Sequence, residues 1–301
     1  MREAVLFEDE TLRDGLQVEK IVLRLEDKLA LFDRLVAAGI KRIQVGSFVH
    51  PGIVPQMADT DELIRRIEAP PDVLLTGLVL NRRGVERALD CGLGHLSMSV
   101  SVSDTHSRKN ANMPAAEALD SMCRLIEEAV AGGVTPRGGV QCAFGCVYEG
   151  AVPEQTVVDA LKSMAAAGAR ELNLADTTGM GNPVQVRRLI TKVREALPDA
   201  ELSLHLHDTR GLGLANMMAG YQAGVRQFDT ATGGLGGCPF VRGAAGNVPT
   251  EDAAHLFAAI EADTGIDLPN LCRTVDLLET LLEHPLPGRM CRVLKAMGGC
   301  Q

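Results

Sequence analysis

The chain has 301 residues, a net charge of −9 and 46% hydrophobic content, which is enough for one large core and suits a single α/β barrel domain with additions. With no basic block and no basic-aromatic stripe, the acidic balance excludes nucleic acid as a partner. No apolar run reaches the length of a membrane span, and the start at Met1, Arg2 and Glu3 does not read as a signal peptide, so the expectation is a cytoplasmic small-molecule enzyme with no membrane partner.

Short β-type runs alternate with amphipathic helical runs along the whole chain. The strands are expected at 4–7, 42–45, 73–78, 95–100, 139–144, 171–174, 202–207 and 227–230. Helical stretches are expected at 24–38, 115–131, 153–167, 184–196 and 214–223, with Gly39, Gly168 and Gly224 placed as C-caps. Near-continuous apolar strands in strict β/α alternation argue a parallel sheet, and eight of them argue closure into a (β/α)8 TIM barrel. An open doubly wound sheet is the weaker alternative, because no GxGxxG follows the first strand. One domain, 1–301, is expected, with the barrel over about 1–264 and a C-terminal helical extension over 265–301. One or two helices at 266–283 end at Pro285, Leu286, Pro287 and Gly288.

A (β/α)8 barrel carries its active site at the C-terminal ends of its strands, and those ends are polar in this sequence. His205 and His207 are two residues apart, so an extended strand projects both rings to one side while Leu206 points away. Such a pair either packs in the core, each ring with its own hydrogen bond, or binds a cation. Asp14, after the first strand, would complete a mixed oxygen and nitrogen set suited to Mg²⁺ or Mn²⁺, with Fe²⁺, Co²⁺ and Zn²⁺ as further options. Asp208 faces the other way and reads as a helix cap. Arg13 can only bind or stabilise negative charge. Ser47 and Gln44 at the second strand, and Asn173 and Asp176 at the sixth, point toward the same mouth. Asn247 offers an amide oxygen. The eight cysteines include no CxxC and read as reduced core thiols, except Cys238, whose glycine-rich loop could carry a proton donor over the mouth.

Several segments in unbroken order resemble 3-hydroxy-3-methylglutaryl-CoA lyase. They are Thr11-Leu12-Arg13-Asp14-Gly15-Leu16-Gln17, Ser47-Phe48-Val49, Cys142-Ala143-Phe144-Gly145-Cys146, Ala175-Asp176-Thr177, 205–209, 233–240 and Gly246-Asn247. Related synthases of the wider metal-dependent barrel group usually read Asp-Gly-Glu-Gln where this chain has Asp14-Gly15-Leu16-Gln17, which favours the lyase branch.

The resemblance implies a divalent cation on Asp14, His205, His207 and Asn247, and an acyl-CoA thioester as substrate. It implies that Arg13 stabilises a thioester enolate and that Cys238 protonates it. His205 or Asp14 would serve as the initial base. Arg13, Gln17, Gln44, Ser47, Asn110, Asn173 and Asp176 would line the substrate pocket, with Asn110 toward the CoA end. Acetyl-CoA and acetoacetate would be the products, with a place in leucine degradation, and a homodimer would be plausible. One departure stands out: the family has a glutamate where this chain has Gln44, which removes a charge near the metal. A related thioester such as citramalyl-CoA, or a catalytically weak metal and CoA-ester binder, are the alternatives this departure leaves open.

Overall fold

The structure, a computed structural model, describes residues 2–237 and 245–298. Eight parallel strands close into a barrel in chain order, and β8 pairs back onto β1. They are β1 (Leu6–Asp9), β2 (Arg42–Ser47), β3 (Leu74–Val79), β4 (His95–Ser101), β5 (Thr135–Gln141), β6 (Glu171–Ala175), β7 (Glu201–His205) and β8 (Gln227–Thr230). The helices are α1 (Leu25–Ala37), α2 (Thr60–Arg66), α3 (Arg82–Asp90), α4 (Asp104–Ala111), α5 (Ala115–Ala131), α6 (Glu154–Ala166), α7 (Pro183–Ala196), α8 (Gly213–Gln222), α9 (Thr250–Ala259), α10 (Leu268–Leu282) and α11 (Met290–Ala296). Among the described residues no helix is long and apolar enough to cross a membrane.

All eight expected strands are present, with three shifts that bear on the site. The first strand lies two residues later than 4–7, so a π-helical turn, Thr11–Gly15, carries Arg13 and Asp14 above it. The fifth lies at Thr135–Gln141 rather than 139–144, its start masked in the sequence by Pro136, Gly138 and Gly139. At Gly138 a Cβ would come within 3.1 Å of Ala169 and 3.2 Å of Met164, so the strand lies close against α6. The seventh ends at His205, and His207 sits beyond it in an isolated bridge to Asn247. Helix starts follow ordinary capping chemistry: at α7, Asn182 accepts from Val184 and Gln185 N–H, Gln185 reaches back to the Asn182 N–H, and Pro183 occupies the first turn.

The two-residue repeat of the strands separates two environments. Ile43, Val45, Leu96, Met98, Leu172, Leu174, Leu202, Leu204 and Phe228 belong to the hydrophobic core shared with the helices. Their alternating neighbours fill the barrel interior, and here the expectation of near-continuous apolar strands is corrected. Arg137 on β5 donates to Glu8 on β1 at 2.9 Å and to Asp229 on β8 at 2.8 Å. Strands β1 and β5 stand opposite each other, so this contact passes through the interior. Arg42 bridges Glu8 and Glu171, and His95 Nε2 lies 2.8 Å from Glu171. Burial opposes ionisation of Glu8, but Arg137 and Arg42 outweigh it and hold the carboxyl at about 2. Buried charge is tolerated because nearly every member is paired.

The C-terminal extension is a single helix over the expected 266–283 stretch, α10, followed by the additional α11. The expectation of reduced core thiols fails for one pair. Because α11 folds back onto α10, Cys272 and Cys291 come to a Cα separation of 5.1 Å and form a disulfide. The turn between these helices supports the mouth of the barrel: Gly288 N–H donates to Gly233 O at 3.0 Å, and Gly233 has φ +74° and no room for a Cβ, which would meet Leu286 at 2.3 Å.

Candidate active site

Asp14, His205, His207 and Asn247 meet at the C-terminal mouth. The π-helical turn that presents Asp14 is pinned at its start, where Asp9 accepts from Thr11 N–H at 3.0 Å and Thr11 accepts from Thr232 N–H at 2.8 Å. His205 Nε2 and His207 Nε2 are 3.0 Å apart, and His207 Nε2 is 3.8 Å from Asp14 Oδ2. Asn247 donates to Asp14 Oδ2 at 2.8 Å and to Leu235 O at 3.0 Å. One ligand atom from each of Asp14, His205 and His207 lies within 4.8 Å of the others, and all three residues are buried.

Two observations fit these residues to a divalent cation. Asn247 Oδ1 is buried without a hydrogen-bond partner, and the two histidine Nε2 atoms face each other. The electrostatics agree. Burial, reinforced by His205, pushes His207 down to about 4, so at neutral pH it is a neutral imidazole that can offer a lone pair to a cation. Burial alone would raise Asp14, but Arg13 above all, with His205 and His207, holds it at about 2 as a carboxylate. A carboxylate, two imidazoles and an amide oxygen form a mixed set of the kind that takes Mg²⁺, Mn²⁺ or a later first-row ion. A second acidic grouping, Glu10, His205 and Asp229, shares His205. Its carboxylates are already engaged by Arg13, Arg137, Gln44 and Asn173, so it acts as support.

Asp229 stands behind His205, with Oδ2 at 3.3 Å from Nδ1. Burial disfavours charge on His205, but the hydrogen bond to Asp229 and the nearby Asp14 outweigh it and raise its pKa. Arg13 is only 9% exposed and is gripped from three sides. Its Nε donates to Gln44 Oε1, its Nη1 to Asp14 Oδ1, and its Nη2 pairs with Glu10 Oε2 at 2.7 Å.

Arg13 and the two histidines border a cavity of about 500 Å³. Gln17, Asn110 and Asn173 also line it, while Val18, Val49, Ile53, Val54, Leu78 and Leu80 form an apolar wall. The remaining sequence candidates sit behind the cavity surface. Gln44 and Ser47 are wholly buried, and Asp176 accepts from Met180 and Gly181 N–H at 2.9 and 3.0 Å, burial pushing it up to about 6. Asp208 accepts from Gly213 N–H at 2.7 Å at the start of α8. Cys238 lies outside the described residues, and Gly237 before it reaches the cavity.

Sequence reasoning missed Glu8, Glu10, Arg137 and Asp229. A signal for them existed: polar residues recur at i and i+2 in Glu8 and Glu10, Arg42 and Gln44, Glu171 and Asn173, Ser203 and His205, and Gln227 and Asp229. A strand with one polar face inside a closed barrel has an interior that is not apolar.

Comparisons with known proteins place the chain in a family. An (R)-citramalyl-CoA lyase from Chloroflexus aurantiacus is 41% identical over 296 residues, covering 95% of this chain and 93% of that protein. The crystal structure of the Bacillus subtilis HMG-CoA lyase superposes with a TM-score of 0.94 at 35% identity, covering 97% of this chain and 98% of that one. An HMG-CoA lyase from Acinetobacter baumannii, solved with coenzyme A and 3-methylmalate, gives 0.91 at 37% identity, with 96% and 94% covered. The HMGL-like family model matches residues 4–278, and the chain belongs to the HMGL-like family of lyases.

Proposed function

We propose that this protein is a divalent-metal-dependent carbon–carbon lyase that cleaves 3-hydroxy-3-methylglutaryl-CoA to acetyl-CoA and acetoacetate, acting in leucine degradation as a cytoplasmic enzyme. The observation that carries the reading is the grouping of Asp14, His205, His207 and Asn247 directly beside a fixed Arg13 at the edge of one cavity. A divalent cation held by those four residues would supply Lewis acidity toward the substrate hydroxyl and carboxylate oxygens.

The reaction breaks the bond between the hydroxyl-bearing carbon and the carbon alpha to the thioester. The hydroxyl proton leaves to a base, the bonding electrons pass into the thioester as an enolate, and a proton then adds to the alpha carbon. Arg13 is suited to the enolate oxygen. Its guanidinium stays charged, and three partners fix its orientation before any charge develops. Of the two candidate bases, His205 is the better, because Asp229 stabilises the protonated ring while Asp14 is held at about 2. His205 Nε2 is the atom that would serve either role, since Nδ1 already faces Asp229. The final proton is assigned to Cys238, which follows the cavity-lining Gly237 in sequence. Gln17, Asn110 and Asn173 supply hydrogen bonds along the cavity wall, and Ser47 and Asp176 support it from behind.

The identity to a citramalyl-CoA lyase favours a second substrate, in which the carboxylate is attached directly to the hydroxyl-bearing carbon. The same residues would cleave it to acetyl-CoA and pyruvate. Incubating purified, Mn²⁺-loaded protein with each thioester and assaying acetoacetate and pyruvate separates the two. Acetoacetate as the dominant product supports the first substrate, pyruvate supports the second, and no product from either defeats the lyase reading.

A further inference from the structure

Gln44 makes a closed set of contacts beneath Arg13. Its Oε1 accepts from Arg13 Nε, and its amide nitrogen donates to Glu10 Oε1 at 3.0 Å and to Glu8 Oε1 at 3.2 Å. Glu10 completes the ring by pairing with Arg13 Nη2 through its other oxygen at 2.7 Å. Gln44, Glu8 and Glu10 are all 0% exposed. Only a carboxamide can do this work at position 44, since it accepts from a guanidinium and donates to two carboxyls at once.

We propose that Glu10 and Gln44 are one positioning unit for Arg13, in which Glu10 supplies the acid and Gln44 is neutral because it must donate to Glu10 and Glu8. The substitution at position 44 therefore leaves an acid beside Arg13, contributed by the end of β1 instead of β2. Neither residue lines the cavity, so both act through the orientation of the guanidinium. This rests on the role given to Arg13 above. Turnover by the wild-type enzyme decides that reading, and the ratios among variants on the thioester it cleaves decide this one.

A carboxyl at position 44 would lose both donor contacts and stand beside two other buried acids. Gln44→Glu and Glu10→Gln are each expected to lower kcat by about tenfold or more while KM moves less than about threefold, the pattern of an interaction used mainly in the transition state. The double variant E10Q/Q44E restores one acid and one amide beside Arg13. It is expected to recover at least about fivefold of the kcat lost in Gln44→Glu, short of full activity because Glu8 still faces the new carboxyl. A Mn²⁺ titration of Gln44→Met should change by less than about threefold, since Gln44 holds Arg13 and bonds to none of the four residues proposed for the cation. Gln44→Met removes the bridge without adding charge and serves if Gln44→Glu does not fold; it too should lose kcat while keeping the thermal midpoint within a few degrees. Full kcat in Gln44→Met or Gln44→Glu, or a double variant that is unfolded or no faster than Gln44→Glu, overturns the proposal.

Discussion

His205 Nδ1 lies 3.3 Å from Asp229 Oδ2, and both residues are buried at the floor of the site. The other oxygen of that carboxylate accepts from Arg137 at 2.8 Å, so the charged network inside the barrel ends on a histidine of the proposed metal centre.

Replacing Asp229 with asparagine should therefore act on two levels. Loss of the charged partner behind a ligating histidine typically weakens a metal site by about 10- to 100-fold, and a Mn²⁺ titration by calorimetry reads this directly. Leaving Arg137 with one fewer carboxylate in the interior should also cost about 3 kcal/mol of stability, measured by denaturant unfolding of the metal-free protein.

Gly236 sets the approach of the glycine-rich loop to the centre. It has φ +94°, and a Cβ there would meet Asn247 Nδ2 at 2.5 Å and Asp14 O at 3.1 Å. Gly236→Ala should displace the Asn247 amide, lowering Mn²⁺ affinity by about tenfold or more while circular dichroism shows an intact barrel. Unchanged affinity would argue that Asn247 is no ligand.

The interior network also predicts an acid limb. Burial opposes ionisation of Glu171, but hydrogen bonds from His95 and Arg42 reverse this and lower it from 4.5 to about 2. A lowered carboxyl contributes stability that is present above its unfolded pKa and is lost as pH falls through the folded value, so the window is about 4.5 down to 2. Glu171→Gln should remove on the order of 2 kcal/mol of the difference in stability across that window, checked by urea unfolding at several pH values. An unaltered slope would mean that this cluster does not hold its charge in the folded state.

Much of this molecule was legible in its sequence. Alternating β and α runs, with the glycine at Gly168 after α6 and that at Gly224 after α8, led to the barrel, because local periodicity and helix stops are properties of short segments. The spacing of His205 and His207 also survives in the structure, although His207 is held by its bridge to Asn247 and not by the strand itself. What stayed hidden depends on closure. Glu8 and Arg137 are 129 residues apart and meet only because β1 and β5 face each other across the interior. Gln44 reads as a lost charge in the sequence because nothing in the sequence puts Glu10 at its side.

The disulfide between Cys272 and Cys291 ties α11 onto α10, and the turn between them supports Gly233. Reduction, or Cys272→Ser, should lower stability by about 3 kcal/mol for a loop of this size, read as a lower unfolding midpoint with reductant present. The Cys272→Ser protein should show no further change on adding reductant.

The central claim is that this barrel uses a cation at Asp14, His205, His207 and Asn247 to break a carbon–carbon bond beside a CoA thioester. The most direct test is the release of acetyl-CoA from 3-hydroxy-3-methylglutaryl-CoA by chelator-stripped protein, before and after adding Mn²⁺, with Asp14→Asn in parallel. Acetyl-CoA and acetoacetate should appear in equal amounts only when the cation is present, and the variant should lose at least about a hundredfold in rate. Cleavage that is as fast in the stripped protein, or as fast in Asp14→Asn, would contradict it.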